Sequence, residues 1–319
     1  MKNKEKILTN IIDWAETIDQ IKVIILEGSL AAGEEKDELS DFDINLFVED
    51  TEQFLQNDEW FTQFDEIVVF QKERTFYRDT FIRTRLVIYQ NSRRVDFSLW
   101  PVSILESWIK NQELPEFYKN GYEILLDKLN IADNLTKPSY DGYPVTKPSK
   151  DVFLQTIYNF YFEAAIIAKY LSRGNLWFAC KLSNGPIKYF LQQMIIWQAA
   201  EKANWNLQGM NSLGKNLEEK ISADIIQKLH KTFSKYDLND CWKSLFFMIE
   251  MFDEISKKLS VKFEIEYPDK KIGKVMNYIN KIKSRHADQA TEKSINCCKS
   301  CENKSFAAEA MKQERSEKQ

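Results

Sequence analysis

Apolar positions in the first part of the chain recur with two different periods. Ile7, Ile11, Trp14 and Ile18 fall at helical spacing, which predicts an amphipathic helix covering a sheet that begins with Val23 to Glu27. Strand-like runs follow at Ile44 to Val48, Ile67 to Phe70, Leu86 to Tyr89, Val95 to Leu99 and Tyr122 to Leu126. Helical patterns separate several of them, so residues 1–137 are expected to form a small mixed sheet with flanking helices. Turn formers crowd residues 138–150, where apolar periodicity stops, and that stretch reads as a linker. From Asp151 the pattern becomes long and helical, over Phe153 to Arg173, Asn175 to Lys202, Asp237 to Leu259 and Ile272 to Lys283. Residues 151–285 are therefore expected to be a helical bundle, giving an α+β protein of two domains. Residues 286–319 are polar and rich in Lys and Glu, and are expected to be a disordered tail.

Composition narrows the function classes. A chain of 319 residues with 44% hydrophobic and 13% aromatic content can bury two cores. A net charge of -4 disfavours a general nucleic-acid binder, which needs concentrated Lys and Arg, and suits a cationic small substrate better. No apolar stretch reaches the ~18 residues of a membrane span, and the basic N-terminus lacks the apolar core of a signal peptide, so cytoplasmic residence is expected. The five cysteines do not suggest a disulfide framework. Cys180 and Cys241 lie in apolar helical segments, and the Cys297, Cys298 and Cys301 cluster has no second pair or spaced His to complete a zinc site. His230 and His286 have no Ser or Cys context that would make either catalytic.

Residues 24–47, IILEGSLAAGEEKDELSDFDINLF, carry the clearest chemistry. An apolar run ends in Gly28 and Ser29, and Asp41 and Asp43 open the next. If Asp43 to Val48 is a strand, Asp43, Asn45 and Phe47 share one face, and Asp41 points the same way as Asp43. Two carboxylates so spaced can hold a hard divalent cation, while a Gly-Ser turn lets backbone N–H groups and a hydroxyl approach phosphate. An isolated Asp-x-Asp is most often a solvated turn. Asp96 adds a third carboxylate on the polar face of a later strand, where Val95, Phe97 and Leu99 form the apolar one. Together these features suggest a metal-nucleotide site.

Those residues resemble the nucleotidyltransferase fold of the DNA polymerase beta superfamily, and within it the aminoglycoside 6-adenylyltransferases, which modify streptomycin. The likeness extends through residues 66–71, 87–101, 123–128, 168–173, 177–179 and 213–215, over about residues 1 to 285. It implies an N-terminal nucleotidyltransferase domain and transfer of AMP from ATP to an aminoglycoside hydroxyl, with Mg²⁺ held by Asp41, Asp43 and Asp96. It further implies that Asp96 is the general base and that Gly28 and Ser29 hold the terminal phosphates. Lys215 matches a family lysine that could meet the triphosphate, although a solvated lysine is an equal reading. Lys169 and Arg173 share a helix face that is either solvated or phosphate-binding. For the acceptor, Asn159 stands where relatives carry an acid, Glu163 one turn later could restore the negative charge, and Tyr161 belongs to an aromatic run that is either core or a stacking wall. Lys181 also replaces an expected acid. Rival readings are adenylylation of another small molecule or a protein, or a nucleotide-binding module without turnover.

Overall fold

Strands β1 (Ile21–Glu27) and β2 (Phe42–Val48) are apolar on both faces and lie in the interior of the sheet, as near-continuous Ile, Val and Leu runs require. The computed structural model describes residues 2–33, 39–90, 94–140, 144–207, 214 and 216–284. It divides into two units, the second beginning at Pro144. The sequence-expected tail, with His286, Cys297, Cys298 and Cys301, lies outside the described residues.

In the first unit, α1 (Lys2–Thr17) precedes β1, and the short α2 (Gly28–Ala31) and α3 (Thr51–Phe54) flank β2. Then come β3 (Ile67–Tyr77), β4 (Thr80–Tyr89), β5 (Arg94–Pro101), α4 (Val102–Asn111) and β6 (Glu123–Asp127). The described residues build one six-stranded sheet in the order β3-β4-β5-β2-β1-β6. β2 and β5 run parallel, and the other neighbours are antiparallel. Ile7, Ile11 and Ala15 of α1 join one core with Ile24, Leu26, Ile44 and Leu46. On the opposite face Leu105 and Trp108 of α4 cover Val23, Ile25, Phe47 and Trp100. Each such fully buried side chain contributes roughly 1.5–3 kcal/mol.

The expected strand at Ile67 to Phe70 runs on to Tyr77 and pairs with all of β4 as a hairpin. Its second half, KERTFY, is exposed as far as Phe76 and has no apolar alternation to reveal it, and Tyr77 packs beside Trp100 and Trp108. Charged residues on such an edge also discourage pairing with another chain.

The second unit is helical: α5 (Lys150–Ser172), α6 (Leu176–Ser183), α7 (Pro186–Lys202), α8 (Leu217–Lys220), α9 (Ala223–His230), α10 (Leu238–Phe263) and α11, residues 269–284. Ser149 caps α5 by accepting from the Val152 N–H, and Asp237 caps α10 by accepting from the Asp240 N–H at 2.8 Å. The single helix expected over Asn175 to Lys202 is two helices. Pro186 has no N–H to give and its ring conflicts with the carbonyl four residues back, so the chain stops at Ser183 and restarts at Pro186. The bundle core centres on Phe160 and Phe252, stacked with ring centroids 3.6 Å apart. Cys180 and Cys241 are free thiols there. No helix among the described residues is long and apolar enough to cross a membrane.

Candidate active site

Strand register places carboxylates from three strands in one row. Glu27 at the end of β1 pairs with Asp43 near the start of β2, and Asp43 pairs across the parallel ladder with Asp96 of β5. Residues directly opposite in a sheet share a face, so the three side chains leave the same side. The next row, Asn45 and Ser98, is polar, and the third, Phe47 and Trp100, is buried with α4. The row thus lies where the apolar cover ends. Asp41 sits just before β2 with its side chain 38% exposed, whereas that of Asp96 is 16% exposed.

The turn after β1 closes directly onto this row. Gly28 adopts φ +77°, a left-handed conformation, and a Cβ there would overlap Asp43 Oδ2. Only glycine combines that backbone with that approach. Ser29 follows, half-buried, in the first turn of α2.

A guanidinium sits among the acids. Arg94 Nε donates to Asp96 Oδ1 at 2.7 Å and Nη2 donates to Oδ2 at 2.6 Å, a two-pronged pair, while Nη1 lies 3.5 Å from Asp41 Oδ2. The hydrogen bonds to Asp96 raise Arg94 above its already high value. Burial raises Asp96 above the ordinary carboxylate range, with the Arg94 hydrogen bonds and charge opposing that shift.

Glu27 and Arg94 are the participants that the sequence pattern did not single out. Glu27 is pushed up to about 8, first by burial and second by the Asp43 charge, with the Asn45 side chain opposing. Its Oε2 and the Asn45 Nδ2 are buried without a hydrogen-bond partner, and the nearby Tyr118 hydroxyl is likewise unpartnered. Asn45 Oδ1 accepts from Trp100 Nε1 at 2.7 Å, which fixes the amide. A glutamate closing an apolar strand reads as a solvated edge. Only its register against Asp43 marks it as part of a site.

These residues fit a hard divalent cation by their chemistry. The donors at Asp41, Asp43 and Asp96 are carboxylate oxygens, and their excess negative charge is already partly met by Arg94. As the side chains stand, no three acids among the described residues are gathered as a metal-binding cluster. Asp96 is instead engaged by Arg94.

In the helical unit, Asn159 and Glu163 lie half-buried one turn apart on α5, and Asn159 Oδ1 accepts from Gln155 Nε2 at 2.8 Å. The structure separates Tyr161 from them. Its ring is buried among Phe160 and Phe252, and its hydroxyl donates to Asp253 Oδ1 at 3.1 Å, an oxygen that also accepts from Tyr267 at 2.8 Å. Two residues along a helix is a turn of about 200°, which sends Tyr161 away from its two expected companions. Lys169 stands in the last turn of α5 over the Tyr170 ring, and Arg173 is the exposed C-cap. Both positions also favour a cation through the helix dipole. Lys181 is exposed and His230 closes α9. Lys215 lies outside the described residues; Gly214 before it has φ +80°.

A mixed sheet with this carboxylate row beside a Gly-Ser turn, followed by a helical unit, is the architecture of a nucleotidyltransferase. The family model described as streptomycin adenylyltransferase matches residues 1–282, and the chain belongs to that family. An aminoglycoside 6-adenylyltransferase of Bacillus subtilis (strain 168) is 24% identical over 279 residues, covering 84% of this chain and 94% of its own. Another, from Campylobacter jejuni, is 24% identical and covers 90% of this chain and 98% of its own. Among solved structures, an aminoglycoside 6-adenyltransferase from Bacillus subtilis aligns with 21% identity over 85% of this chain and 95% of its own, with a TM-score of 0.41.

Proposed function

We propose that the protein transfers AMP from ATP to a hydroxyl of an aminoglycoside, releasing pyrophosphate, with the 6-hydroxyl of the streptidine ring of streptomycin as acceptor. The observation that carries this reading is the register that sets Asp43 beside Asp96 with the Gly28-Ser29 turn closed against Asp43. Family membership and the names of the curated relatives support the nucleotide and the acceptor class. The consequence for a cell is resistance to the modified drug, and the cytoplasm, where ATP is available, is the place for it.

Asp41, Asp43 and Asp96 would hold Mg²⁺, which when bound neutralises the triphosphate. Ser29 and the amides after Gly28 bind the β- and γ-phosphates, and Lys215, Lys169 and Arg173 are the cations of the helical unit assigned to the nucleotide. Asp96 takes the proton of the acceptor hydroxyl as its oxygen attacks the α-phosphorus. The new P–O bond forms to the drug, the bond between the α-phosphorus and the bridging oxygen breaks, and pyrophosphate leaves. Glu163 and Asn159 meet the amines and hydroxyls of the acceptor from one face of α5.

One calorimetric and kinetic series tests the assignment. Asp43→Asn is expected to abolish metal-dependent nucleotide binding and turnover together, whereas Asp96→Asn should lower kcat by about 10²- to 10⁴-fold while sparing the affinity for a non-hydrolysable ATP analogue. Glu163→Gln should weaken drug binding and leave ATP binding unchanged. Mass spectrometry of an aminoglycoside panel with ATP and Mg²⁺ should detect one added AMP on streptomycin. AMP on a different aminoglycoside would move the acceptor, and near wild-type kcat in Asp96→Asn would sink the mechanism.

A further inference from the structure

The two-pronged Arg94–Asp96 pair occupies the carboxylate that the proposed reaction needs as base and ligand. Arg94 also reaches toward Asp41, so one guanidinium compensates two of the three acids assigned to the cation. Its side chain is 41% exposed. It is therefore tied down by these acids rather than by burial, and it has room to turn. A divalent cation seated on Asp96 would lie beside this positive charge, and two cations sharing one carboxylate repel each other. Arg94 and the metal are thus competitors for the same oxygens.

We propose that Arg94 is an internal counter-ion that holds Asp96 and Asp41 in the nucleotide-free protein and makes metal uptake depend on the nucleotide. This rests on the reading of Asp41, Asp43 and Asp96 as the cation-binding set. Triphosphate oxygens offer Arg94 an alternative partner with the same fork-matching geometry as a carboxylate. When the nucleotide arrives, the guanidinium exchanges Asp96 for phosphate, and Asp96 becomes available to the metal and the acceptor proton. Without nucleotide the acids remain compensated and the metal finds no vacant ligand set. Arg94 acts in this scheme through Asp96 first and on the nucleotide second.

The test is Mn²⁺ binding to the full chain, followed by electron paramagnetic resonance without and with a non-hydrolysable ATP analogue, so the readout does not depend on turnover. Wild type is expected to bind Mn²⁺ weakly alone and strongly with the analogue. Arg94→Gln should bind Mn²⁺ alone at least tenfold more tightly and bind the analogue several-fold more weakly. Arg94→Lys keeps the charge, so its Mn²⁺ affinity without nucleotide should stay near wild type; equal tightening in both variants would overturn competition by charge. Unchanged or weakened Mn²⁺ binding in Arg94→Gln, with its melting temperature preserved and with Asp43→Asn still abolishing binding in the presence of analogue, would overturn the role of Arg94 and leave the carboxylate reading in place. Absence of Mn²⁺ binding in every protein with analogue present would overturn that reading and this one together.

Discussion

Single residues in this protein are tuned by what surrounds them, and Lys188 is a case remote in sequence from the carboxylate row. It lies half-buried on α7, over the Phe233 ring, and donates to the Thr232 carbonyl and hydroxyl, both at 3.1 Å, rather than to a carboxylate. Burial alone pushes it down to about 8 from an ordinary 10.5. Because the folded state disfavours the proton, the unfolded chain binds more protons between about 8 and 10.5, and stability from this group rises with pH across that window. Below about 8 the penalty is fully felt. Lys188→Met removes the titration, so the melting temperature of wild type relative to the variant should climb as pH goes from 7 to 10. After discounting for partial exposure the change is of order 1 kcal/mol, or ~2–4 °C. A pH-independent gap would mean that Lys188 keeps an ordinary affinity for its proton.

At the scale of elements, local periodicity identified the helices and strands with a repeating apolar face, and missed the continuation of β3, whose sequence turns polar after Phe70. β3 beyond Phe70 is held by backbone pairing with β4 and by side-chain links such as Lys72 to Asp58, so its sequence carries no apolar alternation. The break between α6 and α7 was legible in Ser183-Asn-Gly-Pro186, since the missing proline N–H acts locally, and the helical patterns on both sides of it obscured the signal. The junction between α5 and α10 is different again, because the stacked Phe160 and Phe252 are far apart in the chain and fully buried. Phe252→Ala should destabilise the helical unit by roughly 3–5 kcal/mol, read as a fall in the urea midpoint with little change in slope. A loss under 1 kcal/mol would show that the bundle refills the space.

For the whole molecule, each unit has its own buried core, and the family match ends at residue 282. Truncation after Arg285 is therefore expected to leave adenylylation activity and melting temperature nearly unchanged; a large loss of either would assign the last segment a structural or catalytic part. Sequence alone determined the α+β class and the helical second half, and it put forward Asp41, Asp43, Asp96 and the Gly28-Ser29 turn as the candidate site. These follow from short-range sterics: a period of two or 3.6 fixes which residues share a face, and glycine permits a left-handed turn. Tertiary structure alone decided that Glu27, Asp43 and Asp96 stand abreast, that Arg94 grips Asp96, and that the Tyr161 hydroxyl meets Asp253 of α10. Strand order and parallel pairing bring together residues distant in the chain, and which carboxylate meets which cation depends on that pairing rather than on any local pattern.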